Sequence, residues 1–148
     1  MVKRFGTAWV VLTLSLAAHV IDEAVTGFLA VYNPIVRSLR AQFAWFPMPL
    51  FTFQIWITGL CAIVVVLLAL SPLAFRRSPF VRIAAYPYAA IMLLNGAGHL
   101  IGPVYLGRWA PGATTAPLLI AASLWLFAAA RHGDLSPSES AHHCSVEV

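Results

Sequence analysis

The sequence predicts an all-α, polytopic membrane protein, a bundle of four transmembrane helices with a short interfacial helix. Of its 148 residues, 61% are hydrophobic and 9% are charged. Its mean hydropathy of +0.85 is far above that of a typical water-soluble domain. Four apolar stretches are long enough, at about 20 residues each, to cross a hydrocarbon core of roughly 30 Å. They cover about residues 8–31, 51–70, 83–101 and 114–130. We therefore expect one transmembrane domain over residues 1–131 and a disordered polar tail over residues 132–148.

The first span carries three ionisable side chains, His19, Asp22 and Glu23, with apolar sequence on both sides. An acid near the centre of a membrane helix costs roughly 2.5–3.5 kcal/mol even on a lenient insertion scale. Helical spacing places Asp22 and Glu23 one turn beyond His19, and Ser15 extends the same polar stripe. Because two acids at this depth are costly, the stripe indicates a functional site.

The N-terminus also has features of a cleavable signal peptide. Lys3 and Arg4 precede an apolar run that ends in the small residues Ala17 and Ala18. Apolar sequence resumes after Glu23, however, and completes a full span, which a signal peptide does not need. We therefore expect this helix to be retained.

Between the first two spans, residues 34–46 are typical of an amphipathic helix lying on the membrane surface. Its apolar side chains, such as Ile35, Leu39 and Phe43, share one face, and Pro47 ends it. Such a helix serves either as an ordinary anchor or as a lid over a lipid-facing entrance.

Two short turns join the remaining spans, which makes neighbouring helices antiparallel. The cytoplasmic turn is expected between Ser71-Pro72 and Ser78-Pro79, and the external turn between Gly102-Pro103 and Pro111-Gly112. In the polar tail, His142-His143-Cys144 is more typical of a solvated segment than of a metal site.

The net charge of +4 does not indicate a nucleic-acid partner, because the basic residues occur singly or in pairs at the ends of spans. They set orientation instead. Six lie on one side, against three on the other: Lys3, Arg4, Arg76, Arg77, Arg82 and Arg131 against Arg37, Arg40 and Arg108. This bias predicts a multi-pass protein with both termini in the cytoplasm.

The third span carries a second polar pair, Asn95 and His99, four residues apart on one face. Gly96, Gly98 and Gly102 beside them favour close approach of another helix. Counted from the cytoplasmic ends of the spans, His19 and Glu23 lie about 16 and about 22 Å deep. Asn95 and His99 lie about 20 and about 26 Å deep. The two polar sets are therefore level.

The second and fourth spans also carry polar residues in their outer halves, including Gln54, Thr114 and Thr115. Polar groups inside a membrane normally face the interior of the bundle. We therefore expect one shared cavity, with these residues lining it: Ser15, His19, Asp22, Glu23, Gln54, Asn95 and His99.

His19-x-x-Asp22-Glu23, Asn95-Gly96-x-x-His99, and Tyr105 with Pro111-Gly112-x-x-Thr115 resemble the bacterial HXXEE family of small membrane proteins. The resemblance covers about residues 15–120. Asp22 stands where the family motif has its first glutamate, and its carboxylate reaches one methylene less far. The resemblance implies a bacterial inner-membrane protein and adds Tyr105 and Thr115 to the substrate-binding or supporting residues. It implies no particular reaction.

The pattern is typical of a membrane enzyme that acts on a lipid-like or apolar small molecule, with membrane lipids around it. His19, Asp22, Glu23 and His99 offer nitrogen and oxygen ligands to one divalent metal, zinc or iron ahead of manganese. The same four residues are the catalytic candidates, with Asn95 and Gln54 supporting them. The pattern is also compatible with a homo-oligomer.

Three other interpretations use the same residues. One is metal-free acid–base isomerisation or cyclisation of a sterol-like or prenyl substrate. Another is a small proton-coupled transporter, in which an acid of the first span binds a proton or a cationic substrate. The last is interhelical hydrogen bonding alone, although single contacts of this kind average only about 0.6 kcal/mol. That is too little to offset the insertion of two acids.

Overall fold

The computed structural model describes residues 2–131, with the backbone alone for Val2, Lys3 and Leu106. Within this range the regular secondary structure is entirely helical, which confirms the all-α prediction. The six helices are α1 (Val2–Thr26), α2 (Phe28–Gln42), α3 (Phe53–Ala69), α4 (Ser71–Phe75), α5 (Pro79–Leu106) and α6 (Ala116–Arg131). The predictions for the tail, including His142-His143-Cys144, lie outside the described residues.

Three helical stretches are long and apolar enough to cross a membrane: Arg4–Thr26, Phe53–Phe75 and Pro79–Tyr105. The second of these includes α4, which follows α3 almost without interruption. The fourth apolar helix, α6, has only 16 residues. It is shorter than a full span because residues 110–115, which the sequence places partly in it, form an irregular segment instead.

α1 lies at the centre of the structure and packs against α3, α4 and α6. Its buried face carries Phe5, Trp9, Leu12 and Leu16, in alternating steps of four and three residues. The indole Nε1 of Trp9 donates a hydrogen bond to the carbonyl oxygen of Leu67, at 2.9 Å. The beginning of α1 therefore lies beside the end of α3, and the two helices are antiparallel.

α5 packs along α6, and the two helices approach closely at Gly96. A Cβ atom on Gly96 would lie 2.8 Å from Cγ1 of Ile120 and 3.1 Å from the carbonyl oxygen of Ala116. The sequence predicts close approach of a helix at Gly98 as well, but a Cβ atom there would meet nothing within 4 Å. Only one of these two glycines therefore serves helix packing.

The chain breaks between α1 and α2 at Gly27, whose φ of 77° is in the left-handed region. Glycine adopts this conformation without steric cost, so α1 ends at Thr26 and not near residue 31 as the apolar pattern predicts. α2 then begins earlier than predicted, includes Pro34, and ends at Gln42.

Two side chains of α2 fasten it to the segment that precedes α3. The side chain of Asn33 both donates to and accepts from the backbone of Phe51, at 2.9 and 3.2 Å. The hydroxyl of Tyr32 donates to the carbonyl oxygen of Pro49, at 3.0 Å. These bonds hold α2 next to the beginning of α3.

Candidate metal centre

Three side chains from two helices converge at the level that the depth comparison predicts. Oε1 of Glu23 lies 2.9 Å from Nε2 of His99 and 3.7 Å from Nε2 of His19. One ligand atom from each of the three residues lies within 4.8 Å of the others. The side chain of His19 is fully buried, and those of Glu23 and His99 are nearly so.

The sequence of α1 explains how two of these residues reach the interior. His19 and Glu23 follow Phe5, Trp9, Leu12 and Leu16 in the same alternation of four and three residues. The stripe that buries the apolar core of α1 therefore continues into the polar pair. Asp22 lies beside this stripe and is only partly buried.

The ring of His99 is oriented by the backbone before α6. Its Nδ1 lies 2.6 Å from the carbonyl oxygen of Pro111, and a carbonyl oxygen only accepts, so Nδ1 carries a proton. In a neutral ring the lone pair is then on Nε2, which faces Glu23. This tautomer is the one that a metal-ligating or proton-accepting histidine needs.

His19 is oriented in a similar way, through Thr115. The Thr115 hydroxyl donates to Oδ2 of Asp22, at 3.0 Å, and lies 2.8 Å from Nδ1 of His19. Because the hydroxyl has one proton and gives it to the carboxylate, it accepts from a protonated Nδ1. Nε2 of His19 is left buried without a hydrogen-bond partner among the described residues. A buried nitrogen without a partner costs free energy, which binding of a ligand there would recover.

The segment that orients both rings is itself buried. Ala110, Pro111, Gly112 and Ala113 are all buried, whereas the sequence suggests an external turn ending at Pro111-Gly112. The expected start of that turn, Gly102-Pro103, lies within α5. The segment packs inward because its side chains are small and uncharged. This composition is the feature of the sequence from which its burial could have been predicted.

Gly112 lies against both histidine rings. Its φ is 78°, and a Cβ atom on it would lie 2.7 Å from Nδ1 of His99 and 2.9 Å from Cε1 of His19. Both the backbone conformation and the available space therefore require glycine.

Aromatic side chains form the wall on the α2 and α3 side. The ring of Phe28 lies 5.6 Å from that of His99 and 5.8 Å from that of Trp56, measured between centroids. Trp56 is buried and is the residue that α3 brings toward the site. Gln54, which the sequence suggests for this role, is exposed on α3.

The other predicted residues occupy different places. Ser15 is buried, but its hydroxyl donates to the carbonyl oxygen of Val11, at 2.8 Å within α1. Asn95 and Tyr105 line a cavity of about 510 Å³ that His99 also borders, between α2 and α5. Tyr105 stands at its rim with 90% of its surface exposed.

The three converging residues can hold a metal ion. Two ligand atoms at about 2 Å from one ion are at most about 4 Å apart, and both distances to Glu23 satisfy this limit. The distance between the two histidine nitrogens needs at most a small side-chain adjustment. Asp22 is not among the converging atoms; it acts on His19 through Thr115.

The charges also suit a cation. When Asp22 and Glu23 are ionised and both rings are neutral, the centre carries one buried negative charge on Glu23 and a second, partly buried one on Asp22 beside it. A divalent ion would balance them, and buried charges are normally paired or coordinate metals.

No protein-family model, no curated protein and no solved structure matches the chain. The resemblance to the HXXEE family therefore stays a prediction from the motifs, and functional conclusions depend on the geometry of the site.

Proposed function

We propose that the protein is a four-span membrane enzyme whose His19–Glu23–His99 centre binds one divalent transition metal and acts on an apolar, lipid-like small molecule. One observation carries this proposal. Two buried imidazoles, each with its Nδ1 occupied by a hydrogen bond, direct their Nε2 atoms toward one carboxylate oxygen. Metal-ligating histidines typically have this arrangement, in which the nitrogen that does not bind the metal donates to a carbonyl oxygen or a carboxylate. Here Nδ1 of His99 donates to a carbonyl oxygen, and Nδ1 of His19 is connected to the Asp22 carboxylate through Thr115.

The geometry of α6 supports a fourth span. Its 16 residues extend over about 24 Å, and residues 110–115, of which 110–113 are buried, continue toward the membrane surface. Irregular backbone is tolerated at membrane depth where it is buried in protein and hydrogen-bonded. The backbone nitrogen of Thr115 donates to Asp22, and that of Ala113 donates to Ala110. Two backbone N–H groups of this segment therefore have hydrogen-bond partners within the protein.

The ligand set favours zinc or iron ahead of manganese. Two histidines and one carboxylate occur both in catalytic zinc sites and in non-haem iron sites, and they leave a coordination position open. When bound, such an ion would supply Lewis-acid activation of a substrate, water or dioxygen. The chain itself orients the ligands through Thr115 and Pro111, and Phe28 and Trp56 help to exclude water.

A metal-free acid–base enzyme is the second candidate, and the distance of 2.9 Å between Glu23 and His99 favours it. A proton shared by these two groups could be transferred to and from a substrate without any ion. Both candidates use Glu23 and His99, so metal content distinguishes them.

Elemental analysis of the full chain tests the proposal. The protein would be purified in mild detergent without chelators, through a tag that contains no histidine. We expect about one zinc or iron per chain, lost in His19→Ala and His99→Ala. The double variant His142→Ala/His143→Ala is the control and should keep the metal. Absence of metal from the native protein, or equal metal in all variants, would refute a metal at this centre.

A further inference from the structure

We infer that the cavity between α2 and α5 binds a neutral, apolar molecule with one hydrogen-bonding group, held at Asn95 beside the His19–Glu23–His99 centre. This inference rests on the proposed function, because it names the substrate class of the same site. The cavity volume of about 510 Å³ is within the range of small-molecule sites, roughly 300–1,000 Å³.

The lining excludes a charged ligand. Its side chains are mostly aliphatic or aromatic, and none of them is lysine, arginine, aspartate or glutamate. A phosphate, carboxylate or ammonium group inside the cavity would be desolvated without an opposite charge, because the only charged centre at its wall is the one beside His99, where a divalent ion would balance the two acids. Such desolvation is costly. The occupant is therefore neutral.

One side chain of the lining is available to recognise a polar group. The hydroxyl of Tyr32 already donates to Pro49, and Nδ1 of His99 is bonded to Pro111. Tyr105 lies at the exposed rim. The amide of Asn95 is half-buried and has no hydrogen-bond partner among residues 2–131. It offers both a donor and an acceptor to an alcohol or a carbonyl group.

The position of Asn95 brings that polar group to the metal centre. Asn95 and His99 are one helical turn apart on the same face of α5, so their Cβ atoms are about 5–6 Å apart. A group bound to Asn95 is therefore next to the ligand that borders both the cavity and the centre. The apolar body of the molecule extends along α2, whose Val31, Ile35 and Leu39 cover the cavity.

α5 leaves room for that body at Gly98, which borders the cavity and would place a Cβ atom in open space. Gly98→Leu therefore fills the cavity without a backbone clash. Gly59 on α3 gives a matched control, because a Cβ atom there also meets nothing within 4 Å and Gly59 does not border the cavity.

Photolabelling in lipid nanodiscs tests the inference. The probe is a long-chain primary alcohol that carries a diazirine in its chain, and mass spectrometry locates the labelled peptides. We expect label on α2 and α5. Gly98→Leu should reduce it about tenfold by steric exclusion, and Gly59→Leu should leave it unchanged. Asn95→Leu should weaken competition by the unlabelled alcohol about tenfold.

The carboxylate and the trimethylammonium compound of the same chain length should compete poorly with the probe. Equal competition by either, or full labelling of Gly98→Leu, would overturn the inference. Metal content of the same samples separates the two proposals. Gly98→Leu with metal and with full label defeats the cavity assignment alone. If the native protein contains no metal but is labelled, and Gly98→Leu abolishes the labelling, the metal centre alone is refuted.

Discussion

Thr115 connects a carboxylate to a histidine through one hydroxyl group, and its neighbour Thr114 is exposed. Thr115→Val keeps the side-chain volume and removes this connection, so Nδ1 of His19 loses its partner. Loss of such a supporting hydrogen bond typically costs about 10–100-fold in metal affinity. We expect that loss in Thr115→Val and none in Thr114→Val, measured by competition with a chelator. Equal affinities in the two variants would show that Thr115 does not support the centre.

Gly112 and Gly107 both have positive φ, but only Gly112 contacts the histidines. Gly107→Ala adds the strain of a left-handed alanine, about 1–2 kcal/mol. Gly112→Ala adds the same strain and pushes a methyl group against both rings. We expect a lower thermal midpoint for Gly112→Ala than for Gly107→Ala in detergent, with metal lost only from Gly112→Ala. Matching midpoints and metal contents would contradict the close contact.

Glu23→Gln preserves the shape of the side chain and removes its negative charge. Because burial of an acid in a membrane helix is costly, we expect the variant to express and fold at least as well as the native protein. Its metal content should fall, since an amide is a weak ligand for zinc or iron. A variant that unfolds would instead indicate that Glu23 serves as a structural contact.

Helix packing between α5 and α6 depends on Gly96, and Gly98 gives the comparison on the same helix. Gly96→Ala forces a methyl group against Ile120 and the backbone of Ala116, and overpacking of this kind costs about 1–3 kcal/mol. Gly98→Ala meets open space and should gain roughly 0.5–1 kcal/mol from helix propensity. Thermal unfolding followed by circular dichroism should therefore shift in opposite directions. A shift of both variants in the same direction would show that α5 and α6 can accommodate a methyl group at Gly96.

The ends of the helices show which element boundaries a sequence predicts well. The apolar pattern places the start of the second span at Phe51, close to Phe53 where α3 begins, because turn-forming residues precede this point. It misses the break at Gly27, because apolar residues continue past it into α2. A change of helix direction that leaves hydrophobicity unchanged has no signal in hydropathy.

The antiparallel order of the helices brings both ends of the described chain to one side of the structure. Gly6 lies against Phe75, and the far end of α1 meets Thr115 just before α6. The side that holds Gly6 and Phe75 also carries six of the nine lysines and arginines. We therefore predict that reporter fusions after Arg131 are cytoplasmic and that fusions within residues 43–52 are external. An external reporter after Arg131 would reverse this orientation.

The sequence alone determined that the protein is helical and apolar, and that His19, Glu23 and His99 lie at a common level. These conclusions follow from composition and from the helical repeat, which are local properties. The tertiary structure decided which polar residues meet. It brought Thr115 and Pro111 to the two rings, placed Asp22 behind His19, and left Gln54 exposed. These outcomes depend on how α6 and the buried segment before it pack against α1 and α5, and no periodicity within one helix encodes that packing.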